Sequence, residues 1–218
     1  MSDYHDYVFK EGKLVGQFEE MYRDCDMPWH QDRQENRVDV GLAREILKDE
    51  QFTRIHDFGC GLGYFLNILE RSFPGTVCTG SDVSPTAVER ASKLFPQYGF
   101  WVEDLTLAPR KRATQDGRSL YVIRATLWYV FPKLENAIDN IANHMSGSDI
   151  LLVSQNFPPL GAKFVGKEIL PNPQAVVQAF SSRFSLLRSV WYEKRTQEND
   201  NWFIGVFAST EAAPADCG

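Results

Sequence analysis

Cysteine is scarce in this 218-residue chain: the four present, Cys25, Cys60, Cys78 and Cys217, include no C-x-x-C pair. That spacing argues against a disulfide framework or a zinc site and for reduced thiols. The histidines, His5, His30, His56 and His144, are dispersed without an H-E-x-x-H pattern, and no metal is expected. No stretch reaches the roughly 18 consecutive apolar residues that would span a bilayer. Residues 1–12 lack the basic start and apolar run of a secretory signal, so a cytoplasmic protein with no membrane partner is the expectation. Positive charge is in deficit: 23 Lys and Arg against 29 Asp and Glu leave a net charge of −6. An acidic surface repels phosphate backbones, so no nucleic-acid partner is expected. The single tight basic cluster, Arg110-Lys111-Arg112, reads as a solvated loop.

What the chain does have is core material, with 43% hydrophobic and 13% aromatic residues, enough for one domain of ordinary size. Apolar spacings of three and four predict short helices over residues 13–24 and about 34–49, separated by Asp26-Met27-Pro28-Trp29. From residue 53 onward strands and helices alternate. Strands are predicted at 53–58, 76–82, 100–102, within 120–130 and at 149–154, with helices at 64–73, 85–94 and 134–145. Such alternation indicates a parallel sheet covered on both faces. After a helix at 173–180 come two strands, 186–192 and 202–208, joined directly by a polar turn and therefore antiparallel. The expected parts are an N-terminal helical cap and lead-in helix (1–50), a nucleotide-binding core (51–208) and a flexible tail (209–218).

The most informative stretch is Ile55-His56-Asp57-Phe58-Gly59-Cys60-Gly61-Leu62-Gly63, in which a strand runs into alternate glycines and a helix follows at once. Glycines there let the backbone turn sharply and approach a ligand closely. The next strand ends in Asp82, about 20 residues on, where nucleotide-binding α/β domains place a carboxylate on ribose hydroxyls. A helix-capping role for Asp82 competes with that reading, but Ser84 suits the cap better and leaves Asp82 for a ligand. After the third strand, Asp104 and Leu105 offer an acid and an apolar side chain for the amino group and face of an adenine.

The run Asp57-x-Gly59-x-Gly61-x-Gly63 resembles the first motif of the class I S-adenosylmethionine-dependent methyltransferases. Asp82 and Asp104 resemble their second- and third-strand acids, and Ala125-Thr126-Leu127-Trp128-Tyr129-Val130 the segment ending their fourth strand. The resemblance covers about residues 53–208. It implies an α/β fold, a doubly wound, mostly parallel seven-stranded sheet with an antiparallel final strand, and S-adenosylmethionine as cofactor. The cofactor would be bound by Asp57, Gly59, Gly61, Gly63, Asp82, Asp104, Leu105 and Ala125. NAD-type loops read G-x-G-x-x-G instead, which weakens a dehydrogenase reading. Neither the Asn/Asp-Pro-Pro-Tyr/Phe motif of amino methylation nor the cysteine pair of RNA cytosine enzymes is present. Asp26–Gln31 resembles, more loosely, the Pro-Trp lead-in of small bacterial methyltransferases acting on sugars and related metabolites.

The expected reaction is methyl transfer to a hydroxyl or amine of a small polar metabolite, by a monomer or homodimer. Trp128 and Tyr129, at the end of the fourth strand, are candidates to border the acceptor, with core packing as the competing role. Gln155 and Asn156, polar just after an apolar strand, can position it by hydrogen bonds. His30, beside Trp29 in a predicted loop and titratable near neutrality, is the candidate base; His56 reads as strand packing. Residues 1–32 carry Tyr4, Tyr7, Phe9, Phe18, Tyr22 and Trp29, more aromatic surface than a disordered tail has. They are expected to cap the acceptor pocket and bring Tyr22 and Trp29 to it. The alternatives are a tRNA or protein methyltransferase and a nucleotide-binding module without turnover.

Overall fold

In the computed structural model, residues 4–109, 117–159, 161–194 and 201–210 are described. The basic cluster 110–112, the turn at 197–200 and residues 211–218, Cys217 and most of the expected tail among them, lie outside these. The chain opens with a 3-10 turn, Tyr4–Tyr7, and a two-stranded hairpin, β1 (Phe9–Lys10) with β2 (Lys13–Leu14). Helix α1 (Phe18–Asp24) follows, so the first half of the helix predicted for 13–24 is hairpin instead, with Glu11, Gly12 and Gly16 at positive φ around the turn. A 3-10 run, Pro28–Arg33, leads to α2 (Val38–Leu47).

The core then alternates: β3 (Arg54–Phe58), α3 (Tyr64–Ser72), β4 (Val77–Asp82), α4 (Pro85–Leu94), β5 (Gly99–Val102) and β6 (Ser119–Arg124). The strand predicted within 120–130 forms and ends at Arg124, where Ala125 adopts φ +53°. Leu127–Val130 instead forms the short helix α5, followed by α6 (Leu134–His144), β7 (Ile150–Phe157), α7 (Pro173–Phe180), β8 (Phe184–Tyr192) and β9 (Asn201–Ser209). The seven-stranded sheet has the order β5-β4-β3-β6-β7-β9-β8, parallel except for β9, which pairs antiparallel with both neighbours.

Alternation of side chains along the central strands feeds two cores. Leu120, Val122, Ile150, Leu152, Ile204 and Val206 pack against α2 and α3 on one face. Tyr121, Ile123, Leu151, Val153, Phe203 and Phe207 pack on the other with Ile138, Ile141, Val176 and Phe180 of α6 and α7. Both faces are covered, which is why β6 and β7 read as continuous apolar runs. Each fully buried Leu, Ile or Phe contributes about 1.5–3 kcal/mol. The chain builds outward from β3 to β4 and β5, then returns to place β6 on β3's other side. A crevice opens at such a reversal, at the carboxyl ends of the strands, and ligands of open α/β sheets bind there.

Candidate active site

The loop after β3 lies at that crevice. Gly59 and Cys60 both donate their N–H to Ser81 O, at 2.7 and 2.9 Å, which ties the loop to β4. Gly61 (φ +55°) and Gly63 (φ +81°) hold left-handed conformations that side chains rarely adopt. The space beside Gly61 is taken by protein: a Cβ there would lie 2.6 Å from both Gln31 Oε1 and the Tyr22 hydroxyl. Where the sequence points to a ligand beside this glycine, the structure places the N-terminal segment. Gly63 is the N-cap of α3, pressed against Phe95 and Phe100, and is not among the residues lining the cavity described below.

Four acids gather at the ends of β3, β4 and β5. Asp57 is 3% exposed, and no described residue hydrogen-bonds its carboxylate. Burial raises its pKa to about 7, with Arg124 pulling it down and Asp82 pushing it up. The Asp82 carboxylate accepts from Gly61 N (2.9 Å) and Ser84 N (3.0 Å). Its pKa is nonetheless raised, since burial outweighs those backbone bonds. Ser84 is indeed the cap of α4, its side chain accepting from Ala87 N. Asp104 Oδ1 accepts from Thr106 N and Oγ1 at 2.8 and 2.7 Å, leaving Oδ2 without a protein partner among the described residues. Glu103 is held by His144 Nε2 (3.1 Å) and Trp101 Nε1 (3.2 Å). His56 stacks between Trp101 and His144 and bonds Thr79 and Ser81, the packing role read for it.

Opposite the acids lies the N-terminal segment. Two reciprocal contacts seat α1 on α4: Glu19 takes the Ser84 and Thr86 hydroxyls (both 2.6 Å) and Thr86 N (3.1 Å), and Arg90 takes the carbonyls of Tyr22, Cys25 and Asp26. Val8, Met21 and Tyr22 are buried with Leu62 and Ala87 beneath it. Trp29 and His30 turn over the crevice with φ of +53° and +48°, two successive left-handed residues. That strain, about 1–3 kcal/mol per residue, is held by packing of Trp29 on Tyr22 and Tyr129, at centroid distances of 6.1 and 5.7 Å. Phe9 and Phe18 also meet the Tyr129 ring. His30 is exposed, edge-on to Tyr4 at 6.2 Å, and its ring has no hydrogen bond to a described residue.

The two sides enclose a cavity of about 870 Å³. Of the residues singled out from sequence, Asp57, Gly59, Gly61, Asp82, Asp104, Leu105 and Ala125 line one part, and Tyr22, Trp29, His30, Trp128, Tyr129 and Asn156 the other. Gln155 stays behind the wall, fully buried: its Oε1 accepts from Leu127 N (3.2 Å) and its amide nitrogen donates to Asn156. Trp128 Nε1 donates to Asn156 O and Oδ1, so the pair forms a fixed wall. Sequence reasoning passed over Gln31, Glu103, Arg124 and Thr126, which also line the cavity. Arg124 is anchored on Asp39 (2.6 Å) and Gln34 and lies over Phe65. Among the described residues, the buried Asp57 carboxylate has no hydrogen-bond donor, Asp82 keeps lone pairs to spare and Asp104 keeps one oxygen unbonded, so they offer acceptors for an ammonium, a diol and an amino group. The donor set of a nucleoside that carries an amino-acid group thus fits this wall.

Residues 56–152 match the family model described as a methyltransferase domain. No curated protein matches the chain. Among solved structures, the N-methyltransferase NodS from Bradyrhizobium japonicum WM9, in complex with S-adenosyl-L-homocysteine, is similar at a TM-score of 0.64 and 17% identity, covering 90% of this chain and 98% of that one. A TehB-like S-adenosylmethionine-dependent methyltransferase from Corynebacterium glutamicum is similar at 0.58 and 17%, over 88% and 96% of the two chains. A chain of the complex between the Haloferax volcanii Trm112 methyltransferase activator and a putative methyltransferase is similar at 0.64 and 14%, over 90% and 99%.

Proposed function

We propose that this chain, whose residues 56–152 match a methyltransferase-domain model, is a class I S-adenosylmethionine-dependent methyltransferase that transfers the cofactor's methyl group to a hydroxyl or amine of a small polar molecule held under the N-terminal segment. The observation that carries this reading is the cavity of about 870 Å³ at the strand ends, with acids on one wall and the N-terminal rings on the other. Its size lies near the top of the roughly 300–1,000 Å³ range of small-molecule sites, room for a nucleoside and a compact acceptor together. A nucleic acid would need an open cationic surface instead.

S-adenosylmethionine, when bound, supplies an electrophilic methyl on its sulfonium. The protein's tasks are to bind, orient and exclude water. In this reading Asp57 takes the amino-acid ammonium, Asp82 the ribose hydroxyls, and Asp104 with Leu105 the adenine, while Gly59, Gly61 and Ala125 shape the floor. Trp29, Trp128, Tyr129 and Asn156 flank the acceptor, and Tyr22 stands at the junction of the two halves. His30 is the candidate base, facing the cavity with both ring nitrogens free of described partners. Calorimetry with S-adenosylhomocysteine and NAD tests the cofactor side: the first should bind saturably and the second not at all. Mass spectrometry of a metabolite extract incubated with enzyme and isotopically labelled S-adenosylmethionine tests the transfer. A protein that binds NAD in preference, or that labels only tRNA or protein, would sink the reading.

A further inference from the structure

Gln31 closes the Asp26–Gln31 lead-in, and its buried amide joins the N-terminal segment to the glycine loop. Its Oε1 accepts from Leu62 N at 2.9 Å, and its Nε2 donates to the Tyr22 hydroxyl at 3.1 Å. The orientation is forced. A backbone N–H can only donate, so the amide oxygen must face Leu62 and the nitrogen must face Tyr22. The phenolic oxygen is therefore the acceptor in that bond, and its own proton has to point elsewhere. No described residue receives that proton. Tyr22 is 3% exposed, lines the cavity and lies over Gly61, where a Cβ would come within 2.6 Å of the hydroxyl. Burial, with Asp82 nearby, pushes the phenol well above its ordinary value, so it stays protonated at neutral pH.

We propose that Gln31 is a positioning residue: by bridging Leu62 N–H and the Tyr22 oxygen, it makes the Tyr22 hydroxyl a donor toward an oxygen of the ligand bound beside the glycine loop. The inference rests on reading that cavity wall as the S-adenosylmethionine site, whose ligand carries carboxylate and ribose oxygens as acceptors. Seating of the N-terminal segment and completion of the site are then one event, because both residues arrive with that segment.

The test is a double-mutant cycle read by calorimetry with S-adenosylhomocysteine, on the full chain. Gln31→Glu keeps an acceptor for Leu62 N–H but presents Tyr22 with oxygen in place of N–H, so the hydroxyl donates to the new carboxylate and is lost to the ligand. Tyr22→Phe should weaken binding about tenfold in the wild-type background, the effect of one hydrogen bond. In the Gln31→Glu background the same change should cost under about twofold, whatever the added charge does by itself. A merely structural Gln31 gives equal losses in the two backgrounds, which overturns the proposal, as does an undiminished affinity in Tyr22→Phe alone. Thermal unfolding verifies that each variant folds. If Gln31→Glu does not, the uncharged isostere Gln31→Met replaces it, and Tyr22→Phe should again lose less there than in wild type. A wild-type protein that binds no S-adenosylhomocysteine overturns the cofactor reading, and this inference with it; saturable binding with equal losses overturns the inference alone.

Discussion

Asp57, next to last in β3, has its carboxylate buried, unbonded to any described residue and facing the cavity. Its pKa, raised by burial to about 7, means that it is mostly ionised at pH 8 and mostly neutral at pH 6. Only the ionised form attracts an ammonium. The affinity for S-adenosylhomocysteine should therefore fall as pH drops through 7, by about tenfold between pH 8 and pH 6. Asp57→Asn should bind more weakly at pH 8 and show a flat profile. A flat profile in the wild type would remove Asp57 from the ammonium site. His30 gives the second residue-scale test. If it is the base, His30→Ala should slow turnover by about two to four orders of magnitude with cofactor affinity unchanged. A loss under about tenfold would mean that alignment alone suffices. The strand-end acids were legible because each follows an apolar strand at the spacing of a nucleotide-binding unit. Gln31 and Glu103 were not, since Leu62, Tyr22 and His144 reach them through the fold.

Among the elements, the docking of α1 on α4 decides whether the site has a roof. Glu19 acts as a cap supplied from another helix, and its pKa is lowered chiefly by the Ser84 and Thr86 hydroxyls. A lowered folded-state pKa means its stabilisation is present at neutral pH and is lost as pH falls through that value. Glu19→Ala should lower stability at pH 7 by about 1 kcal/mol, in line with other N-cap deletions, and make the segment around Arg23 more sensitive to trypsin. The glycine loop provides a sharper test. Gly61→Ala meets both a left-handed φ and a Cβ 2.6 Å from Gln31 and Tyr22. It should destabilise by about 1–3 kcal/mol and unseat the N-terminal segment. Tyr22 fluorescence and trypsin sensitivity should change together. An unchanged proteolysis pattern would mean that the segment tolerates the added methyl. The helix predicted for 13–24 lost its first half to a hairpin, and the strand predicted within 120–130 stops at Arg124, before the left-handed Ala125. In both places a left-handed residue, invisible to hydrophobic periodicity, redirects the chain.

For the molecule as a whole, the readout is stability under ligand. A ligand that binds only the folded state at about 100 times its Kd stabilises by about 2.7 kcal/mol. For a chain of this size that corresponds to a rise in Tm of roughly 5–11 °C. S-adenosylhomocysteine should produce such a shift and NAD none, as seen in a thermal scan at matched concentrations. A shift from NAD alone would contradict the cofactor assignment.

Residues 53–208 announced the sheet, because helix and strand periods are local properties that survive in a one-dimensional reading. The antiparallel insertion of β9 was implied by the family resemblance and by two strands joined through a short turn, and it forms as expected. The acids and glycines of the crevice were equally local, since each follows directly from a strand end. Only the tertiary structure decided what the glycines touch: Gly59 meets Thr126, Gly61 meets the N-terminal segment and Gly63 meets Phe95 and Phe100. It also decided that Gln155 is a buried brace and Gln31 a bridge between segments 31 residues apart. A side chain's partners across such distances depend on where the sheet, α4 and the N-terminal turn come to rest, and composition, period and spacing carry no record of that.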